Sequence, residues 1–321
     1  MTEEEILDLA KSTILTERDT LSKIAVSIDS RFVKAAQIID QSNGRVIITG
    51  IGKNQFVGQK IAATLNSTGC PSIFLHASDA IHGDLGVIQK DDIIIILSRS
   101  GNSHEIKVLI PLIRSRNNTI IAIVSDQDSY LGKQAEICIH LPVEKEACPH
   151  NLAPTNSTTA FLATGDALAI CLMKMKGFSA DDFGQLHPGG ALGKRLYLRV
   201  SDLYTLNEKP EVSSDTSIHD TILEISARRL GATAVLDQNK LLIGIITDGD
   251  LRRLLQKHKE LSGLTAIDAM TSNPKTILPD AFASQALELM RTNNITQLPV
   301  VEENRYLGVI HIHDILTEGI V

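Results

Sequence analysis

The chain has 321 residues, 43% of them hydrophobic and 21% charged, the balance of a globular protein with room for two or three domains. Its net charge of −7, with no long basic run, argues against nucleic acid or an acidic membrane surface as a partner. The start, Met1-Thr2-Glu3-Glu4-Glu5, lacks the basic and apolar stretches of a secretory leader, the longest apolar runs are strand-sized, and the four cysteines (Cys70, Cys138, Cys148, Cys171) show no CxxC spacing; a cytoplasmic protein with reduced thiols and no membrane-crossing helix is expected.

Residues 1 to about 40 read as helix, with Ile6, Leu9, Ile14, Leu21, Ile24 and Ile28 recurring at three- and four-residue steps. Strands are then expected at 45–49, 72–75, 92–97, 119–124 and 137–141, with helical stretches such as 55–66 and 105–116 between them. That alternation implies a parallel sheet covered by helices on both faces, with ligands beyond the carboxyl ends of the strands. Residues 50–53, 76–82 and 98–105 lie at those ends and are expected to converge on one site.

The first turn, Gly50-Ile51-Gly52-Lys53, is not a triphosphate loop, because Ile47 and Asn54 stand where Gly and Ser/Thr belong. Nor is it a dinucleotide fingerprint: Gln55 replaces the third Gly, and the second strand ends in His76 rather than a ribose-holding Asp or Glu. A tight turn with a solvated Lys53 explains it equally well. The third strand carries more information. Its β-branched run ends in Ser98-Arg99-Ser100-Gly101-Asn102-Ser103, and a helical pattern begins at Glu105. A strand leading through a Ser/Gly turn into a helix start presents backbone N–H groups and the positive end of the helix dipole to an anion. Ser98, Ser100 and Ser103 add hydroxyl donors. Without a loop Lys or a carboxylate cluster for Mg²⁺, the loop suits a single phosphate monoester better than a nucleoside triphosphate. An ordinary turn with a Ser cap is the plainer alternative.

Glu146, in Lys145-Glu146-Ala147-Cys148-Pro149, follows the last strand, where catalytic residues collect. His82 and His187 are flanked by turn residues, and His76 and His82 are six apart, a poor helical metal spacing. Spacing alone does not rank these candidates against surface carboxylates and loop histidines. A helix is expected at 155–176 and a Gly/Pro turn at 187–191. The remainder is an internal repeat: Gly244-Ile245-Ile246-Thr247-Asp248-Gly249-Asp250-Leu251 matches Gly308-Val309-Ile310-His311-Ile312-His313-Asp314-Ile315. Each copy reads as strand–helix–strand–strand–helix. A phosphate loop beside Glu, His and Lys fits proton transfer on a sugar phosphate, which needs one base to move a proton between adjacent carbons and donors for the enediolate oxygen.

The glycine turn, the serine loop and the five-strand pattern resemble a sugar isomerase (SIS) domain, and the repeats resemble a tandem of cystathionine-β-synthase (CBS) domains. The whole order, with His82-Gly83-Asp84-Leu85-Gly86, Lys145-Glu146-Ala147-Cys148-Pro149, Ser157-Thr158-Thr159-Ala160 and His187-Pro188-Gly189-Gly190, is similar to the D-arabinose 5-phosphate isomerases. The resemblance implies an α/β fold, with a five-stranded parallel, Rossmann-like sheet over 1–199 and βαββα repeats over 200–260 and 264–321. It implies interconversion of D-ribulose 5-phosphate and D-arabinose 5-phosphate, supplying Kdo for lipopolysaccharide or capsule. Lys53, Glu105, Glu146 and His187 fall on the family's catalytic positions; Ser98, Ser100, Ser103, His76 and His82 are the expected substrate contacts. Zinc is implied as a bound or inhibitory ion on His76, with no cofactor required for the reaction. A homotetramer is expected. Thr247 and Asp250 keep the Gly-x-x-Thr-x-x-Asp pattern for a nucleotide or nucleotide-sugar effector, whereas His311 departs from it in the second copy. Of the two carboxylates Glu146 is the better base candidate. A sugar-phosphate sensor without turnover, or an isomerase of another sugar phosphate, is the competing reading.

Overall fold

The computed structural model describes the whole chain except Lys259. Its contacts divide it into two units, Met1–Ser179 and Ala180–Val321. Helices Ala180–Leu186 and Ala191–Tyr197 pack on each other, and the second also packs on helix Ala283–Asn293 of the C-terminal unit. Ser284 donates to the Arg195 carbonyl at 3.2 Å, and Lys194 pairs with Glu318 at 2.6 Å.

The N-terminal unit opens with α1 (Glu3–Ser27) and α2 (Ser30–Gln41), two helices where the apolar spacing suggests one. The break is chemical: the Asp29 side chain accepts the Arg31 N–H at 2.9 Å and starts a new helix, as short polar residues do at N-caps. There follow β1 (Val46–Gly50), α3 (Lys53–Ser67), β2 (Ser72–His76), α4 (Ala77–Ala80), β3 (Ile93–Ser98), α5 (His104–Arg114), β4 (Thr119–Val124), α6 (Tyr130–Gln134), β5 (Ile137–His140) and α7 (Asn156–Met175). The strands are all parallel, in the order β2-β1-β3-β4-β5. Every residue of β1 and β3 is buried, which is why these strands read as unbroken apolar runs. Ile95 and Leu97 pack among α1, α2, α3 and α7, while Ile94 and Ile96 pack among α4, α5 and α6. The chain runs outward from β1 to β2 and returns to β3 on the other side of β1, so the switch point lies between the carboxyl ends of β1 and β3.

α7 (Asn156–Met175) bears on the expectation that no helix crosses a membrane. It is long and apolar enough to cross a membrane by length and composition. Ala160, Phe161, Thr164, Gly165, Leu168 and Leu172 are nevertheless buried, against α1, α2 and α3, as in the core helix of a globular fold. A Cβ at Gly165 would stand 2.4 Å from Ile61 Cδ1, so the α3–α7 contact needs a residue with no side chain there.

The C-terminal unit carries the two repeats. The first contributes strands Glu211–Ser213, Ala232–Leu236 and Leu242–Thr247, and the second contributes a two-stranded ribbon, Gln297–Glu302 with Arg305–His311. The short strand Thr271–Ser272, which opens the second repeat, pairs antiparallel with Leu242–Thr247 of the first. The repeats therefore share a sheet as well as a hydrophobic cluster in which Ala234 and Leu236 meet Tyr306 and Val309.

Candidate active site

A cavity of about 490 Å³ opens at the switch point of the N-terminal unit. Ile51 and Asn54 reach it from the end of β1, Leu97 to Ser100 and Ser103 from the end of β3, and Ser125 and Asp126 from the end of β4. The serine loop takes its shape from its own side chains. Ser98 Oγ accepts the Gly101 N–H at 3.0 Å, and Ser103 is the N-cap of α5. Gly101 has a φ of +64°, and a Cβ there would fall 2.1 Å from Ser129 Oγ, so only glycine fits. The Ser103 and Ser125 hydroxyls are buried without a hydrogen-bond partner among the described residues. Unsatisfied polar groups are costly, and two of them lining one cavity mark a place for a polar ligand. Of the lining residues Arg99 alone is cationic.

Lys53 and Glu105 are in the first turns of α3 and α5, next to the lining residue Asn54 and close to Ser103 respectively. Among the described residues neither side chain has a hydrogen-bond or ion-pair partner, so both are uncommitted. Glu146 is the opposite case. It is 3% exposed, and α7 holds it: Oε2 accepts the N–H groups of Thr155 and Ser157 at 2.9 and 3.0 Å, while Oε1 accepts Ser157 Oγ at 2.5 Å. Arg99 Nη1 lies 3.4 Å from Oε1. Burial works against ionisation, but Ser157, Thr155 and Arg99 outweigh it and hold the carboxyl below the usual glutamate range.

His76 and His82 are not brought to this cavity. β2 is the edge strand beyond β1, away from the switch point, and its end lines a separate hollow with Gln55, Gln59, Asp79 and Asp84. His76 Nδ1 lies 3.8 Å from Asp79 Oδ1 and makes no hydrogen bond among the described residues. Among those residues no three His, Cys, Asp or Glu side chains converge as a metal ion requires. His76 with Asp79 falls short of the three or four ligands of a zinc site, so these residues do not fit the expected ion. His187 belongs to the C-terminal unit, in the turn between helices Ala180–Leu186 and Ala191–Tyr197. Its ring stacks on Phe183 at 3.8 Å, and its Nδ1–H donates to the Phe183 carbonyl at 2.9 Å.

Thr247 and Asp250 line a second cavity, of about 710 Å³, between the repeats, together with Arg252, Arg253 and Lys275. They also cap a helix: Asp250 accepts from Thr247 N–H and Oγ1 at 2.9 and 2.6 Å, from Arg253 at 2.5 Å and from Thr271 Oγ1 at 2.9 Å. In the second copy His311 occupies the Thr247 position and caps in its place, its Nδ1 accepting the His313 N–H at 3.1 Å.

The sequence reading misses Ser125 and Asp126, gives Arg99 no task, and does not foresee that Ser157 and Thr155 hold Glu146. A signal for Ser125 exists: it follows the buried strand 119–124 directly, at the strand end where ligands collect.

Comparison with known proteins adds to this geometry. The SIS domain family matches residues 38–171, and the CBS domain family matches residues 200–257 and 266–320. The arabinose 5-phosphate isomerase KdsD of Pseudomonas aeruginosa is 44% identical, over 97% of this chain and 96% of that protein. KdsD of Francisella tularensis is 46% identical over 96% and 95%, and KdsD of Escherichia coli K12 is 41% identical over 97% and 95%. Among solved structures, the c3406 protein of E. coli CFT073, in complex with arabinose 5-phosphate, superposes with a TM-score of 0.57 at 34% identity, covering 59% of this chain and all of that one. A putative sugar-phosphate isomerase from Listeria monocytogenes gives a TM-score of 0.57 at 33% identity, covering 59% and 99%. With similarity at this level along nearly its whole length, the chain belongs to the arabinose 5-phosphate isomerase family, an SIS domain joined to a tandem pair of CBS domains.

Proposed function

We propose that the protein interconverts D-arabinose 5-phosphate and D-ribulose 5-phosphate. The observation that carries this reading is the cavity at the switch point, where two unpartnered serine hydroxyls, Arg99 and the start of α5 converge in a chain similar end to end to KdsD. The serine loop takes the 5-phosphate. A carboxylate removes the C2 proton of the aldose, giving a cis-enediol, and returns it to C1 to give the ketose. Glu146 Oε1, the oxygen nearer the cavity cation, is the acceptor, and Lys53 stabilises the developing oxyanion; His187 is kept, from the family resemblance alone, as the group that opens or orients the sugar. A second reading has Glu105 as the shuttle, favoured by its uncommitted side chain.

Incubation of the purified protein with D-ribulose 5-phosphate, followed by NMR with and without EDTA, tests the assignment. Arabinose 5-phosphate forms equally in both. Saturable sugar-phosphate binding without conversion would make the protein a sensor instead. Solvent-proton exchange at C2 then separates the carboxylates: it disappears in Glu146→Gln and persists, slowed, in Glu105→Gln. The reverse pattern assigns the proton to Glu105.

Three further readings extend the proposal. The reaction feeds Kdo synthesis for lipopolysaccharide or capsule in the cytoplasm. The protein assembles as a homotetramer, in line with 39–69% exposure of Leu9, Ile14, Leu15 and Ile28 on α1 and its cap. A nucleotide or nucleotide-sugar effector occupies the cavity between the repeats, its phosphates met by Arg252 and Lys275. Sedimentation velocity and calorimetric titration with nucleotide sugars check the last two.

A further inference from the structure

Arg99 stands in the middle of the serine loop, yet nothing in the proposed reaction uses it. Its backbone is fixed, the carbonyl accepting the Ser125 N–H at 3.2 Å. Its side chain is 35% exposed, lines the cavity, and makes one polar contact among the described residues, Nη1 to Glu146 Oε1 at 3.4 Å. That separation is beyond good hydrogen-bond length, and most of the five guanidinium N–H donors have no partner there. The other contacts of Glu146 come from Thr155 and Ser157 at the start of α7, where backbone and side chain are packed in place. Arg99 is therefore the contact of this carboxylate that can leave without disturbing a helix.

We propose that Arg99 is a latch worked by the substrate's own phosphate: it covers Glu146 Oε1 in the free protein, and an entering sugar phosphate draws the guanidinium onto its oxygens and uncovers that carboxylate. This rests on the reading that the cavity receives the 5-phosphate. A phosphate dianion offers a guanidinium two charges and bidentate geometry, whereas Glu146 offers one oxygen already bonded to Ser157. Withdrawing a cation from a carboxylate raises its affinity for a proton, so the acceptor strengthens as phosphorylated substrate arrives. A sugar without phosphate leaves the latch closed. Arg99 thus positions the reaction by what it releases, and contributes to selection of phosphorylated sugars.

The test is calorimetric binding of arabinitol 5-phosphate, which cannot isomerise, to the full chain and to Arg99→Ala, Glu146→Gln and the double variant. Arg99→Ala weakens binding about tenfold or more, the value of a charge-assisted contact. Glu146→Gln frees the guanidinium and tightens binding, and that gain vanishes when Arg99 is also Ala. In steady-state assays Arg99→Ala raises KM for arabinose 5-phosphate while kcat stays within about threefold, and Arg99→Lys recovers part of the loss in KM. An equal gain from Glu146→Gln in both backgrounds overturns the latch, as does a fall in kcat at unchanged KM, since Arg99 would then serve Glu146 throughout the cycle. No binding of the alditol phosphate overturns it too. The calorimetry needs no turnover, so a wild type that binds the alditol but fails to isomerise counts against the proposed function and not against the latch.

Discussion

Ser157 gives Glu146 its shortest hydrogen bond, and the consequence of that bond appears in the pH dependence of stability. The Glu146 carboxyl is held below its unfolded value, so the stability it lends is complete above the ordinary glutamate pKa of about 4.3 and is lost as the pH falls through the lower, folded value. Wild type is expected to lose thermal stability below about pH 5 more steeply than Glu146→Gln, measured as Tm against pH. Ser157→Ala removes one donor from a buried carboxylate and costs about 1–3 kcal/mol in denaturant unfolding at neutral pH. At this scale the sequence is legible where chemistry sits on a recognisable turn, as with Ser98, Ser100 and Ser103. It is illegible where a role depends on a distant partner. Nothing local joins Arg99 to Glu146 or Glu146 to Ser157, because those contacts exist only after β3, β5 and α7 have packed. The separation of His76 from the cavity is similarly hidden, since it follows from strand order.

Elements read more clearly than residues. The five strands are each visible as apolar runs, and the structure moves their ends by a residue or so. The exception is the N-terminal helix, where the apolar stripe runs through the break at Asp29 and only the capping chemistry reveals it. Glycines decide how closely the elements approach. Gly165→Ala drives a methyl into Ile61 across the α3–α7 contact and is expected to cost about 1–3 kcal/mol, whereas Gly86→Ala meets nothing within 4 Å and is close to neutral. Equilibrium unfolding of the two variants side by side checks the contrast; equal Tm values would mean that α3 and α7 adjust freely. At the centre of β3, Ile95→Ala removes a fully buried side chain and is expected to cost about 2–5 kcal/mol.

The whole chain holds separate hydrophobic clusters in its two units, one set around the parallel sheet and another around the repeats. Differential scanning calorimetry is expected to show two transitions, with Ile95→Ala lowering only the first unit's and Met290→Ala only the second's. One transition moved by both substitutions would show that the units unfold together. The order of domains is readable from the repeat and the loop motifs, and the first repeat starts at residue 200 in the sequence reading and in the CBS family match alike; the short helices before it group with the second unit by what they pack on. The strand Thr271–Ser272 carries a further implication. It covers the outer side of Leu242–Thr247 at Gly244 and Ile245, on the strand that would otherwise be the border of the first repeat's sheet. A chain cut after the first repeat would extend the open edge of that strand through Gly244 and Ile245, beside buried Ile246, a template for strand addition from another molecule. The second repeat thus protects the first from self-association, and loss of the last fifth of the protein should produce insoluble material rather than a smaller enzyme.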